Sequence, residues 1–204
     1  MSKMLVVSDL EGVFMPEMWP IIGQKLGIPE LSATTRDTHD FRQLMEKRIS
    51  ALNRENVTFS MIEDALGDVK PFKGAEDAMS RINGLPNTEC AIITDSFREF
   101  LDVTLKKRFG WKLFANSFEI DHDRIKSCIF DVGSQKGEVL RRIKGPSQNV
   151  LAIGDSSNDV EMLKAAGFKV LFNPSTNLRN MFMDSMTCNN FQDLVEIVTR
   201  LTNA

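Results

Sequence analysis

Apolar residues along this chain fall into two rhythms. The first run, Met4-Leu5-Val6-Val7, is short and aliphatic and is closed by Ser8. A continuous apolar run of that length predicts a strand buried on both faces. Comparable runs recur at Cys90-Ala91-Ile92-Ile93-Thr94, Val150-Leu151-Ala152-Ile153 and Val170-Leu171-Phe172. Between them the spacing lengthens to three and four. A helix opens at Met18-Trp19-Pro20-Ile21-Ile22 and is closed by Lys25 and Gly27, the basic last turn and glycine that mark a helix end. Ser32 to Thr38 reads as loop. Phe41, Leu44, Met45, Arg48, Ile49 and Leu52 predict one amphipathic helix, and Ser60-Met61-Ile62-Glu63 reads as a capping box that starts another. Helices are expected over 74–82, 97–109, 136–143 and 160–166, and near 178–183 and 191–201. Short strands at 111–118 and 127–132 are expected to turn back at Asp121-His122-Asp123.

Strands alternating with helices predict an α/β fold with a doubly wound parallel sheet. From Pro16 to Leu66, however, no convincing strand pattern occurs. That all-helical stretch predicts a cap over residues 16–72, inserted into an α/β core made of residues 1–15 and 73–204. A chain of 204 residues has room for one such core with an insertion.

Composition narrows the functional classes. The chain is 42% apolar and 26% charged, and no window approaches the roughly 18 apolar residues that cross a membrane. The first apolar run is too short for the core of a signal peptide, so a cytoplasmic protein is expected. A net charge of -3 with mixed signs gives no footprint for nucleic acid. Cys90, Cys128 and Cys188 are few and far apart, which predicts buried free thiols rather than disulfides or a zinc site. With only His39 and His122 as imidazoles, a bound metal would be held by oxygen, which points to Mg²⁺.

Three of the predicted strands end in polar clusters: Asp9 and Glu11; Thr94, Asp95 and Ser96; Asp155, Asn158 and Asp159. A parallel sheet gathers such ends along one edge. Lys136 opens the helix before the third of these strands, where a cation opposes the helix dipole and so is placed for another purpose. Carboxylates, a hydroxyl, an amide and a lysine suit phosphoryl transfer: carboxylates hold Mg²⁺ and the other groups bind phosphate oxygens. An aspartate can also attack phosphorus directly.

Asp9-Leu10-Glu11-Gly12, Thr94, Lys136 and Gly154-Asp155-Ser156-Ser157-Asn158-Asp159, in this order, resemble the four motifs of the haloacid dehalogenase-like phosphatases. The likeness narrows to phosphoserine phosphatases. It is strongest with the branch described as phosphoserine phosphatase/homoserine phosphotransferase, which shares the Asp-Leu-Glu-Gly opening. It extends through Pro16-Glu17, Ala33-Thr34-Thr35-Arg36-Asp37, Phe41 and Lys47-Arg48 to Phe118-Glu119-Ile120-Asp121.

The resemblance implies a Mg²⁺-dependent enzyme acting on O-phosphoserine through an aspartyl-phosphate, with water or homoserine as acceptor. Asp9 would be nucleophile and metal ligand, the Glu11 carbonyl a second ligand and Asp155 a third. The Glu11 side chain would serve as acid and base, one methylene longer than the aspartate most relatives carry. Thr94, Asp95, Lys136 and Asn158 would bind the phosphoryl group, with Asp159 behind the metal. Glu17 would meet the substrate ammonium, Arg48 its carboxylate, and Phe41 would wall the pocket. Asp95 stands where many relatives have glycine. A phosphatase for another small metabolite phosphate, such as that of methionine salvage, is the alternative. No nucleic-acid or membrane partner is expected, and monomer and homodimer both stay open.

Overall fold

Strand β1 (Met4–Ser8) lies at the centre of the molecule and is buried at every position. The computed structural model describes residues 3–33, 40–105 and 107–203. Among them, β1 is followed by α1 (Met18–Leu26), α2 (Phe41–Arg54), α3 (Phe59–Leu66) and α4 (Ala75–Asn83) before the next strand. Then come β2 (Thr88–Phe97), α5 (Arg98–Thr104), β3 (Lys112–Asp121), β4 (Arg124–Ile129), α6 (Lys136–Ile143) and β5 (Asn149–Gly154). The chain ends with α7 (Val160–Ala165), β6 (Phe168–Phe172), α8 (Thr176–Met181), β7 (Met186–Cys188) and α9 (Phe191–Thr202).

The described strands form one sheet in the order β4-β3-β2-β1-β5-β6-β7. Only the β3–β4 pairing is antiparallel. Side chains alternate across a strand, so each apolar run feeds two cores. Met4 and Val6 join Ile92, Leu151 and Ile153 in one core, which extends through α1 to α5 and α9. Leu5 and Val7 join Ile93 and Ala152 in the other, under α6 to α8. The α/β class and the order of the predicted elements hold.

Several boundaries differ, each for a physical reason. The capping box at Ser60 is not formed: Thr58 is the N-cap and accepts from the Met61 N–H at 3.3 Å. Ser60 instead bonds the Asp123 carboxylate through its N–H (3.0 Å) and hydroxyl (2.6 Å). Phe97 belongs to β2 rather than to the following helix. Pairing of β2 with β3 passes from Ile93 and Phe114 directly to Phe97 and Asn116, a bulge that ejects Thr94-Asp95-Ser96 from the regular ladder. Phe97 can then stack on Phe118, with ring centroids 3.8 Å apart. Strand β4 starts three residues earlier than its pattern implies, because His122 and Asp123 (φ 46° and 60°) make a tight hairpin with both central residues left-handed. The three-residue β7 was not foreseen; so short a run carries no period. Thr34 to Asp37 and His39 lie outside the described residues.

Candidate active site

The three polar strand ends do meet. Beyond β1 the Asp9 N–H donates to the Ile153 carbonyl of β5 at 3.0 Å, which carries the chain past the sheet edge. Asp9 Oδ1 accepts from the Leu10 N–H at 2.7 Å. Oδ2 lies 2.7 Å from Lys136 Nζ. Lys136 is 1% exposed and also reaches Asp159 Oδ1 (3.0 Å) and Asp95 Oδ1 (3.5 Å). Burial alone disfavours the lysine charge, but Asp159, Asp9 and Asp95 together outweigh it and hold its pKa well above the usual value. Burial raises Asp9 well above the ordinary carboxylate range; the Asp159 charge adds to this and Lys136 opposes it.

Asp159 is fully buried and spent on structure. Its Oδ2 accepts from the N–H groups of Asp155 (2.9 Å) and Ser156 (3.3 Å) while Oδ1 holds Lys136. This shapes the turn that presents Asp155. Asp9, Asp155 and Asp159 each place one carboxylate oxygen within 4.8 Å of the others, a hard oxygen donor set of the kind that suits Mg²⁺. At two glycines of the motifs an added side chain would collide with this acidic cluster. A Cβ on Gly12 would sit 2.5 Å from Asp155 Oδ2 at a φ of +84°, and one on Gly154 would sit 2.7 Å from Asp159 Oδ2.

These groups floor a cavity of about 70 Å³ lined by Asp9, Glu11, Asp95, Ser96, Asp155 and Asn158 on one side. Glu17, Trp19, Phe41 and Arg48, from the helical stretch after β1, line the other. Glu11 Oε2 accepts from the Met18 N–H at 3.2 Å, while Oε1 is buried with no hydrogen-bond partner among the described residues. Burial pushes the Glu11 carboxyl up to about 7, against the neighbouring Ser96 side chain, which pulls it down. Such a value suits a group that gives and takes a proton near neutral pH. Arg48 is buried, and burial pulls its guanidinium down to about 10 despite the nearby Glu11, Asp95 and Glu17 charges. It donates to the Ala33 carbonyl at 2.6 Å. Glu17 is exposed at the rim. Phe41 is buried with its ring edge-on to Phe130, 5.6 Å between centroids, so it is both core and wall.

Thr94 and Lys136 do not line the cavity; they are buried behind it. The Thr94 hydroxyl accepts from the Ser96 N–H at 3.2 Å. The Asp95 carboxylate accepts from Asn158 Nδ2 at 3.0 Å. A carboxylate has no proton to give a phosphate oxygen, so its side chain orients Asn158 and Lys136.

One residue of this network escaped the motif reading. Asn116, fully buried in β3, donates to the Asp95 carbonyl at 2.8 Å. Its Oδ1 accepts from the N–H groups of Val132 and Gly133 at 3.0 and 2.9 Å. It ties the β2 bulge to the loop that leads into Lys136. The only mark in the sequence is an amide between Ala115 and Ser117, within a strand of mixed polarity.

Comparison with known proteins fits this geometry. Residues 22–167 match the model of the haloacid dehalogenase-like hydrolase family. The chain is 30% identical over 187 residues to phosphoserine phosphatase ThrH of Pseudomonas aeruginosa, covering 91% of this chain and 90% of that protein. It is 28% identical to a phosphoserine phosphatase of Pseudomonas syringae pv. tomato, over 96% of this chain and 82% of the relative. A solved structure described as a phospho-aspartyl intermediate analogue of phosphoserine phosphatase superposes with a TM-score of 0.79. It has 22% identity and covers 97% of this chain and 99% of its own. With the family's motifs gathered at one sheet edge and the match running through most of its length, the chain belongs to the haloacid dehalogenase-like hydrolases.

Proposed function

We propose that this hydrolase is a phosphoserine phosphatase that works through an aspartyl-phosphate on Asp9. The observation that carries the reading is that one small cavity holds Asp9 at its floor and a buried arginine, Arg48, in its opposite wall. A phosphate and a carboxylate on one small molecule match those two ends. Glu17 at the rim offers the ammonium group its countercharge. Relatives known as phosphoserine phosphatases point the same way. Residues 16–72 then act as a cap carrying substrate selectivity, and residues 1–15 and 73–204 as the core carrying the chemistry.

In the first step an Asp9 carboxylate oxygen bonds to phosphorus as the bond to the serine oxygen breaks. Glu11, protonated, gives its proton to that oxygen. In the second step Glu11 takes a proton from the acceptor hydroxyl, whose oxygen bonds to phosphorus as the bond to Asp9 breaks. With water the product is inorganic phosphate; homoserine is the second acceptor class. Lys136 holds the attacking carboxylate in place and offsets its charge. Asn158 offers an amide to the phosphoryl oxygens, and Thr94 keeps the β2 bulge in shape. Mg²⁺ would be held by Asp9, Asp155 and the Glu11 carbonyl, and would supply neutralisation of phosphate charge.

The deciding experiment is ³¹P NMR of O-phospho-L-serine with enzyme and Mg²⁺, with and without homoserine. Inorganic phosphate in both tubes is the expected result for a phosphatase, and a phosphohomoserine resonance would add the transfer reaction. No consumption of phosphoserine in either tube would overturn the substrate assignment. Arg48→Lys is expected to raise KM for phosphoserine about 10- to 100-fold, since a charge-assisted hydrogen bond contributes roughly 1.5–3 kcal/mol and lysine lacks the planar fork. Gly12→Ala is expected to raise the Mg²⁺ concentration for half-maximal activity and lower turnover by about 10²-fold, the scale of a 1 Å misplacement. A magnesium titration of this variant that superposes on wild type would remove Asp155 from the metal site.

A further inference from the structure

Arg48 does not stand alone in the cavity wall. Its guanidinium carbon lies 4.6 Å from the centroid of the Trp19 ring. Nη2 is held by the Ala33 carbonyl at 2.6 Å, and among the described residues Nη1 has only the Met45 sulfur at 3.5 Å. Nε is buried with no hydrogen-bond partner among the described residues. An arginine this far from water, with donors left over, is arranged for a ligand that brings acceptors.

Trp19 is itself held rigidly. It is 6% exposed, and Phe97, Phe100 and Phe118 meet its ring at steep angles of 90°, 71° and 89°. Those phenylalanines come from the end of β2, from α5 and from β3. The ring is therefore anchored to the same bulged strand that carries Asp95 and Ser96. A cation over an indole face is attracted by the ring quadrupole, most strongly where water is excluded, and the flat face restricts where the guanidinium can lie.

We propose that Trp19 is a positioning residue that sets substrate specificity: its indole face fixes the Arg48 guanidinium so that its free donors receive the substrate carboxylate. The inference rests on the phosphoserine reading and deepens it. Trp19 touches no reacting atom; it acts through Arg48, so its removal weighs most on substrates that carry a carboxylate.

The test compares O-phospho-L-serine with O-phosphoethanolamine, which keeps the phosphate and the ammonium but lacks the carboxylate. Trp19→Leu is expected to raise KM for phosphoserine about tenfold, and to lower kcat/KM for phosphoserine roughly tenfold more than for phosphoethanolamine. Trp19→Phe, which keeps an aromatic face and serves if the leucine variant does not fold, is expected to shift the same ratio by about threefold. In an Arg48→Lys background, Trp19→Leu is expected to add nothing to the loss of discrimination, since residues acting through one contact are not additive. Equal losses on both substrates, or none on either, would overturn the proposal and leave Trp19 as packing. A wild-type enzyme that does not distinguish the two substrates would overturn the carboxylate role of Arg48, and this inference with it. Discrimination in wild type that survives Trp19→Leu overturns the inference alone.

Discussion

Replacing Asp9 by asparagine is expected to lower phosphate release from O-phospho-L-serine by roughly 10⁴-fold or more, the scale of losing a covalent nucleophile. Asparagine keeps the volume and can keep the bond from the Leu10 N–H, but it has no anionic oxygen with which to attack phosphorus. Acid-quenched single turnovers should show a phosphoryl group on the wild-type protein, labile to hydroxylamine, and none on the variant. Asp9→Asn retaining more than about 1% of wild-type turnover would count against a covalent route through this residue. Stability should move the other way. Burial and the Asp159 charge raise the Asp9 pKa, so its ionised form disfavours the folded state, and the asparagine variant is expected to melt at or above the wild-type temperature. A group kept at a cost to the fold is what a stability–activity trade-off predicts.

The second large effect belongs to Lys136. Methionine matches its stem and removes the charge, which leaves Asp9 and Asp159 fully buried beside each other without the ammonium that lies 2.7 and 3.0 Å from them. Removing one partner from a buried ionic cluster costs about 3–5 kcal/mol. For a chain of this length that is a fall in melting temperature of roughly 10 °C. Turnover is expected to drop by about 10³-fold, because the Asp9 carboxylate loses the contact that orients it. Circular dichroism melts and phosphate release on one preparation check both. An unchanged melt would mean that the carboxylates are compensated elsewhere. Combining Lys136→Met with Asp9→Asn should restore part of the stability but none of the activity, since the two act on one cluster.

The gathering of these side chains was legible because they sit at strand ends. A buried run followed by Asp9, Asp95 or Asp155 can be read from a few adjacent residues, and a parallel sheet does the gathering. Lys136 was legible for a related reason, as a cation at the wrong end of a helix. What escaped depends on contacts between distant segments. The contacts of Asn116 and Trp19 are with partners at no fixed offset: the Asp95 carbonyl in one case, Arg48 in the other. Local competition misled at Ser60, where Thr58 two residues earlier takes the cap and Asp123 takes the serine. Phe97 satisfies either a strand or a helix pattern, and only its stacking on Phe118 decides between them. Thr94 and Lys136 were expected against the phosphate, yet both sit behind the cavity wall.

The position of β1 between β2 and β5 bears on how the chain is made. Asp9 precedes its partners in the chain: the strand on one side and the cation that neutralises it come from residues 136–154, and Asp159 follows. Until that stretch has emerged, a nascent chain cannot close its central strand without burying a lone carboxylate. Pairing so distant in sequence is slow to form, and its unpaired edges are open to misassociation meanwhile. Completion of the cavity floor and completion of the fold are then a single late event, and a chain stalled before residue 136 has neither.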